Sequence, residues 1–384
     1  MKTSFLAILS LFGTLLCPFL SFSSAGWPTY SWPTRSLAQA GIDENKFSKF
    51  LDYTFLKGKF GTLEDCIAAS KEEEKDFQTN SLVVIKDGYL VYEQYACGYK
   101  KHHKHILWSV SKSIMATLVG MAKFEDRIDI TRSVSSYVEV PQTQTWEQMK
   151  VDDLMRMSSG LDWREKYEDS PTDSDVINTL YGSGSDDIIK YIFKRPLKHI
   201  PGERFDYSTG DTELLTHVLN TALGGQEAIL DFAHDNLFGT LGISDFTIEK
   251  DSSGQHFYGG SHFYLTPRDL AKIGLLNKHR GLWDEKRLYS TDWYDYFTTE
   301  APSWSKSDTE DPIYGALWWL NRDTEERNRP YPSAPEDSFF AEGHFGQILA
   351  VIPSLDLIVV RNGSDTEKEI DMDKFLALLI RSLR

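Results

Sequence analysis

Segments rich in β-forming residues lie near both ends of this chain, and a long helical stretch separates them. Residues 81–95 contain two apolar runs joined at Asp87-Gly88, a pair that favours a tight hairpin turn. Residues 347–361 contain two more such runs around a Pro-Ser-Leu-Asp turn. Across residues 108–245, apolar side chains recur at helical spacing. This order predicts an α+β fold in which distant segments build one antiparallel sheet.

The first 25 residues have the pattern of an export signal. Lys2 precedes an apolar run, and small residues suited to cleavage end at Ala25. We therefore expect a periplasmic or secreted protein, with retention of the segment as an anchor as the alternative. No later apolar run is long enough to cross a bilayer, so we expect no stable membrane insertion after cleavage. The expected parts are a signal peptide (1–25), a linker (26–39), a sheet-and-helix domain (40–107 and 250–384) and a mostly helical domain (108–249).

The formal net charge of −16 restricts the partners of this chain. Such an acidic balance argues against nucleic acid and against anionic membrane surfaces. The 10 Trp, 18 Tyr and 22 Phe favour a packed globular enzyme or binding protein over a disordered chain.

Two cysteines, Cys66 and Cys97, follow the predicted signal peptide. They form one disulfide in an oxidising compartment or remain two buried thiols, and the sequence leaves both open. The histidines within residues 101–105 alternate with lysines and have no acidic neighbour, which favours a solvated loop over a metal site. We therefore predict neither a metal ion nor a cofactor.

The stretch LWSVSKSIMATLVG, residues 107–120, is the strongest candidate for chemistry. Its apolar residues predict a buried helix, and Ser109 and Lys112 share one face at its start. A serine hydroxyl becomes a nucleophile when a base takes its proton. Lysine can be that base if burial or nearby positive charge lowers its pKa. The N–H groups and dipole at a helix start also favour an oxyanion.

The same spacing recurs at Ser303 and Lys306, before an acidic stretch and without an apolar helix. We expect that copy to lie in a loop without function. Two further elements support Ser109 instead. Tyr207 lies in a turn that leads into a helix, where a tyrosine beside a lysine can lose and pass on its proton. Residues 343–347, Gly-His-Phe-Gly-Gln, precede a strand whose edge can supply a second oxyanion N–H.

In order and spacing, S-x-x-K at Ser109, Y-S-T at Tyr207 and H-x-G at His344 resemble the motifs of the penicillin-recognising serine hydrolases. The similarity is greatest to class C β-lactamases, D,D-peptidases, family VIII esterases and 6-aminohexanoate-dimer hydrolases. It covers roughly residues 40–384 and includes DLMRMSSGL, GSHFYLTPRDLA and YGALWW. Each motif is short, but their order and spacing together are specific.

The resemblance implies a β-lactamase-like fold: an antiparallel sheet flanked by helices, drawn from both chain ends, with an inserted helical domain and the site in the cleft. It implies that Ser109 attacks the acyl carbon of a small ester, amide or lactam. Lys112 and Tyr207 would relay the proton, and water would hydrolyse the acyl-enzyme. The backbone N–H groups of Ser109 and Gln347 would form the oxyanion hole.

Departures from the family pattern bear on the substrate. Thr209 stands where the lactamases carry an asparagine that contacts the substrate amide, and His344 replaces a lysine that would attract a carboxylate. Both changes favour esters or amides without the antibiotic carboxylate. We assign His344, Gly346 and Thr209 to substrate binding, together with Tyr167, which resembles a mobile-loop tyrosine of the aminohexanoate hydrolases. The alternatives are a true β-lactamase or D,D-peptidase, and an inactive relative that binds peptidoglycan fragments or another ligand.

Overall fold

The computed structural model of the chain describes residues 26–72, 74–167, 171–307, 311–324 and 327–383. The predicted signal peptide, residues 1–25, lies outside the described residues. Within the described ranges, no helix is both long enough and apolar enough to cross a membrane.

The strands are short except at the centre of the fold. In chain order they are β1 Thr79–Lys86, β2 Tyr89–Tyr95, β3 His105–Ile106, β4 Thr247–Ile248, β5 Phe263–Leu265, β6 Leu282–Trp283, β7 Lys286–Arg287, β8 Trp319–Leu320, β9 Phe339–Gly343, β10 Gln347–Ile352 and β11 Leu357–Gly363.

The α-helices concentrate in the middle of the chain. In order they are α1 Glu44–Thr54, α2 Leu63–Ala69, α3 Val110–Phe124, α4 Gln144–Gln148, α5 Val151–Met155, α6 Asp175–Tyr181, α7 Ile188–Ile192, α8 Thr209–Leu223, α9 Ala228–Phe232, α10 Gly239–Leu241, α11 Pro267–Lys278, α12 Thr291–Phe297 and α13 Met372–Ile380.

The main sheet joins strands from distant parts of the sequence. Its order is β2-β1-β11-β10-β9-β8, and all of its pairs are antiparallel. Asp87 and Gly88 both have positive φ, as a type I′ hairpin turn requires. Val83 on β1 pairs with Val360 on β11, which brings the two β-rich segments side by side. The predicted α+β fold with one antiparallel sheet from distant segments is confirmed.

Helices cover both faces of this sheet, so its central strands are buried on both sides. Val83 and Val360 face a core that contains α3 and α11, whereas Leu82 and Val359 face a core that contains α1 and α13. This double burial explains why the central strands are nearly continuous apolar runs in the sequence. The helices α3 to α10 fall within the predicted mostly helical domain, although the domain boundaries themselves remain predictions.

The starts of two helices follow the usual capping rules. Asp43 accepts hydrogen bonds from Asn45 N and Lys46 N at the start of α1. Thr266 caps α11, where Pro267 occupies the first helical position because its missing N–H is not needed there.

Cys66 and Cys97 form a disulfide, which resolves the alternative that the sequence left open. The bridge links α2 to the loop after β2 and has a Cα–Cα distance of 5.6 Å. Both residues belong to the core on the α1 and α13 side of the sheet. The bridge therefore attaches a short surface helix to the rim of the main sheet.

The disulfide closes a loop between residues 31 positions apart, and its loss should lower stability. We expect the double variant Cys66→Ser/Cys97→Ser to lose about 3 kcal/mol of unfolding free energy, because the unfolded chain gains conformational freedom. Guanidinium chloride unfolding with and without reductant measures this. The wild-type protein should lose stability when reductant is added, whereas the stability of the double variant should not change. Equal stability of the two proteins without reductant would contradict the expectation.

Candidate active site

The candidate nucleophile stands at a sharp turn between a strand and a helix. β3 pairs with β5, and Leu107 N donates to Phe263 O, which holds the chain just before the turn. Trp108 then adopts a φ of 47°, a left-handed conformation that non-glycine residues rarely adopt. Its ring contacts the rings of His262 and His344, which hold it in place. Ser109 follows immediately at the start of α3.

Lys112 lies one helical turn after Ser109 and is 1% exposed. Its Nζ is 2.9 Å from each of three oxygens: Ser109 Oγ, Thr209 Oγ1 and Gly260 O. Burial lowers the pKa of Lys112, whereas the charges of Glu165 and Glu213 partly raise it. A lysine with a lowered pKa, in hydrogen-bond contact with a serine hydroxyl, has the geometry of a general base.

Tyr207 lies near both Ser109 and Lys112. Its ring stacks on Trp319 at 5.2 Å between centroids, and Lys112 Nζ is 5.2 Å from its centroid. A hydrogen bond with Ser109 favours the ionised form, but burial and the charge of Glu165 dominate and raise the pKa of Tyr207. A neighbouring lysine alone would lower the pKa of Tyr207. Burial and the nearby carboxylate of Glu165 raise it instead. Tyr207 therefore keeps its phenolic proton at neutral pH.

Glu165, which the sequence analysis did not single out, is at the centre of this site. Glu165 Oε1 accepts hydrogen bonds from Thr209 Oγ1 at 2.5 Å and Tyr167 OH at 2.9 Å. Glu165 Oε2 accepts from Trp163 Nε1 at 2.6 Å and Thr209 N at 2.9 Å. The last of these is the first N–H of α8, where a carboxylate is favoured by the helix dipole. The position of Glu165, two residues before Tyr167 in WREKY, was the available sequence clue.

A second carboxylate, Glu213, acts on the charge of Lys112. The sequence did not predict this residue as part of the site. It follows Thr209 by four residues on α8, so the two side chains share a helix face. Glu213 Oε1 accepts from Gly260 N, the residue whose carbonyl binds Lys112. Burial raises the pKa of Glu213, and the charge of Lys112 opposes this rise. A side chain at Gly260 would meet Glu213 Oε1 at 2.9 Å, so glycine permits this close approach.

A cavity of about 240 Å³ opens beside Ser109. Tyr167 stacks on His344 at 4.5 Å to form one wall. The residues of α6 form an apolar wall: Val176, Ile177, Leu180 and Tyr181. The other lining residues are Trp108, Thr209, Ser261 and Phe345. Among the described residues that line the cavity, none is a lysine, arginine, aspartate or glutamate.

The turn after β9 brings the H-x-G segment to Ser109. A Cβ on Gly343 would lie 3.2 Å from Ser109 N and 2.5 Å from Leu107 O, so glycine allows β9 to reach the nucleophile. Gly346 instead contacts a buried ion pair, where its carbonyl accepts from Arg361 Nη1 at 2.8 Å. The Gln347 side chain donates to His344 O, Phe345 O and Gly363 O, which closes the turn.

The structure thus brings together Ser109, Lys112, Tyr207, Thr209, Tyr167 and His344. Gly346 and Gln347 are not among the residues that line the cavity, although both shape the turn that carries His344. The oxyanion role of the Gln347 N–H remains a prediction. Thr209 lines the cavity, but its hydroxyl already bonds Lys112 and Glu165.

Two other candidates have structural explanations. Ser303 precedes a single 3₁₀ turn, Trp304–Lys306, rather than a helix, in line with the expected loop. Asp187, Asp251 and His256 place possible metal-ligand atoms within 4.8 Å of one another. However, Asp187 caps α7 and Asp251 accepts hydrogen bonds within its own loop, so these carboxylates already have partners.

Gly343→Ala should impair the site without removing any polar group. We expect at least about a tenfold lower kcat/KM toward a substrate that acylates Ser109, because the added Cβ displaces the backbone around Leu107 and Ser109. Gly61→Ala is the matched control, since its Cβ would find only ordinary contacts at 3.6 Å. Steady-state kinetics with both folded variants decide the matter, and equal activity would show that this close approach is dispensable.

Comparison with known proteins is consistent with this geometry. A 6-aminohexanoate-dimer hydrolase from Paenarthrobacter ureafaciens is 27% identical over 224 residues, which are 56% of this chain and 56% of that relative. The present chain therefore aligns with little more than half of that protein's length.

Solved structures show the same fold. A putative 6-aminohexanoate-dimer hydrolase from Bacillus anthracis superposes with a TM-score of 0.67 at 17% identity, over 93% of this chain and 88% of that one. A class C beta-lactamase superposes with a TM-score of 0.61 at 15% identity, over 90% and 98% of the two chains. The beta-lactamase family matches residues 63–380. The predicted resemblance is confirmed, and the chain belongs to the beta-lactamase family of serine hydrolases.

Proposed function

We propose that this protein cleaves a carboxylic ester or amide through a covalent acyl-enzyme on Ser109. The observation that carries this proposal is the 2.9 Å contact between Ser109 Oγ and the buried Nζ of Lys112. Burial favours the neutral amine, which is the form that can take the serine proton.

In the acylation step, the Ser109 O–H bond breaks and its proton moves to the neutral amine of Lys112. The serine oxygen bonds to the acyl carbon, and the carbonyl π electrons move to the oxygen. When this intermediate collapses, the bond to the alcohol or amine breaks. The leaving group takes a proton from the Lys112 ammonium, directly or through Tyr207, which donates its own proton as it receives another.

Deacylation repeats these transfers with water as the nucleophile. Water adds to the acyl carbon and gives a proton to Lys112, again directly or through Tyr207. The Ser109 oxygen then leaves and recovers a proton, which releases a carboxylic acid and restores the neutral lysine. The N–H groups at the start of α3 are suited to stabilise the negative oxygen in both steps.

The cavity favours an uncharged substrate around the scissile bond. Its lining combines the apolar wall of α6 with aromatic rings and hydroxyls, and its described residues supply no fixed positive charge for a carboxylate. His344 and Thr209 occupy the positions of the lysine and asparagine expected in lactamases. These features support esters and neutral amides over β-lactams, the runner-up substrates.

We further propose that the protein is exported. The disulfide between Cys66 and Cys97 supports this, because disulfides persist in oxidising compartments such as the periplasm or the exterior. Localisation of a tagged full-length chain by cell fractionation tests it, and a reduced, cytoplasmic protein would contradict it.

The proposed reaction is tested with a short-chain nitrophenyl ester, a chromogenic cephalosporin and the linear dimer of 6-aminohexanoate. We expect ester turnover and a mass increase from an acyl group on Ser109. Ser109→Ala should lower turnover by at least about 10³-fold, because the covalent step is lost. Kinetics and intact-protein mass spectrometry provide the readouts.

Ser303→Ala is the matched control, since the Ser303 hydroxyl is buried with no hydrogen-bond partner among the described residues and should be dispensable for catalysis. Cephalosporin turnover as efficient as ester turnover would replace our substrate assignment with that of a β-lactamase. If no probe, including a fluorophosphonate, modified Ser109, the protein would instead be an inactive binding relative.

A further inference from the structure

Glu165 connects two parts of the site that the family motifs leave separate. Its carboxylate binds Thr209, which contacts the lysine, and Tyr167, which forms a wall of the cavity. We propose that Glu165 is a positioning residue for catalysis: through the Thr209 hydroxyl it directs the lone pair of Lys112 toward Ser109, and through Tyr167 it fixes the cavity wall. This proposal rests on the proposed function of Ser109.

The first part follows from counting protons. A threonine hydroxyl has one proton, and the 2.5 Å contact with Glu165 Oε1 takes it, because a carboxylate can only accept. Thr209 Oγ1 therefore presents lone pairs to Lys112 and must accept from it. Gly260 O, the second partner, is a carbonyl and also accepts.

A neutral lysine amine has two N–H donors and one lone pair. With both donors directed to Thr209 Oγ1 and Gly260 O, the lone pair is left facing the third partner, Ser109 Oγ. The serine can then donate its proton to the lysine, which is the direction that acylation requires. Without Glu165, the threonine could donate to Lys112 instead, and the amine would lose this preferred orientation.

The second part concerns the wall of the cavity. Tyr167 OH donates to Glu165 Oε1, and the ring of Tyr167 stacks on His344. Trp163 Nε1 donates to the other carboxylate oxygen, and the Trp163 ring packs so closely on Gly210 that a Cβ there would meet it at 2.7 Å. One carboxylate therefore holds this segment against the start of α8.

The charge of Glu165 gives a measurable signature. Lys112 faces two carboxylates, Glu165 and Glu213, and both raise its pKa. Glu165 also raises the pKa of Tyr167 and of Tyr207. Glu342 and Asp311 act on Tyr207 in the same direction. Tyr207 in turn acts on Tyr167. Removing the charge of Glu165 should lower the pKa of the lysine and of both phenols.

The sign of the expected shift follows directly. The acidic limb of kcat/KM reports protonation of Lys112, so a lower lysine pKa moves that limb to lower pH. Burial keeps both phenols protonated, so the acidic limb is the one that is expected to move. We expect Glu165→Gln to shift the acidic limb down by about one pH unit, the scale for loss of a nearby opposite charge.

Glu165→Gln and three further variants test the proposal with the ester substrate. Glu203→Gln makes the same charge change at an exposed position before Tyr207 and should leave the acidic limb in place. Thr209→Ser keeps the hydroxyl and should retain kcat within a few-fold. Thr209→Val keeps the shape but removes the hydroxyl, and should lower kcat at least about tenfold. All four keep His344, so this side chain is common to every profile.

The outcomes separate this proposal from the assignment of Ser109. If the wild-type protein fails to react with a fluorophosphonate at Ser109, the proposed function fails. If it reacts, but Glu165→Gln lowers kcat and leaves the acidic limb unmoved, the residue has a merely structural role and the proposal is overturned. Should Glu165→Gln lose its fold by circular dichroism, the Thr209 pair decides alone, and equal kcat for Thr209→Ser and Thr209→Val overturns the proposal.

Discussion

The burial of one lysine is the constraint on which the rest of the site depends. An ammonium group in a protein interior is costly unless it is neutralised or fully hydrogen-bonded. Lys112 meets this requirement with oxygens from its own helix, from the start of α8 and from the loop before β5. Each of these segments is in turn fixed by another contact, such as Gly260 N on Glu213 or Thr209 N on Glu165. Catalytic geometry and core packing are therefore satisfied by the same hydrogen bonds.

The sequence predicted the fold and the three main catalytic candidates because their signals are local. Asp87-Gly88 determines a hairpin within four residues, and a lysine three residues after Ser109 must share its helix face. The order of motifs supplied the family. Glu165 and Glu213 could not be assigned in this way, because their positions near Tyr167 and Thr209 in the sequence do not show that they face Lys112. Their role depends on how α8 and the segment before α6 meet, which only the tertiary structure shows.

The Thr209 hydroxyl contacts Lys112 and Glu165, so its role differs from the one that the sequence suggested. The sequence suggested that the loss of asparagine alters substrate contacts, since an amide and a hydroxyl offer different groups to a ligand. In the structure, the Thr209 hydroxyl is bound on both sides, by Lys112 and by Glu165. In the proposed mechanism, threonine in place of asparagine therefore affects the arrangement of protons around Lys112, in addition to any effect on the substrate. Glu165 and Thr209 act together, and the environment of either residue is incomplete without the other.

The pairing of β1 with β11 has a consequence for when this protein becomes active. Val83 cannot pair with Val360 until the whole chain between them has been synthesised. Contacts between residues so far apart in sequence form slowly, because a long loop must close first. β9, which carries Gly343 to the nucleophile, belongs to the same late-forming sheet. Ser109 and Lys112 are therefore synthesised well before Gly343, and the site described here is complete only after the C-terminal strands have paired.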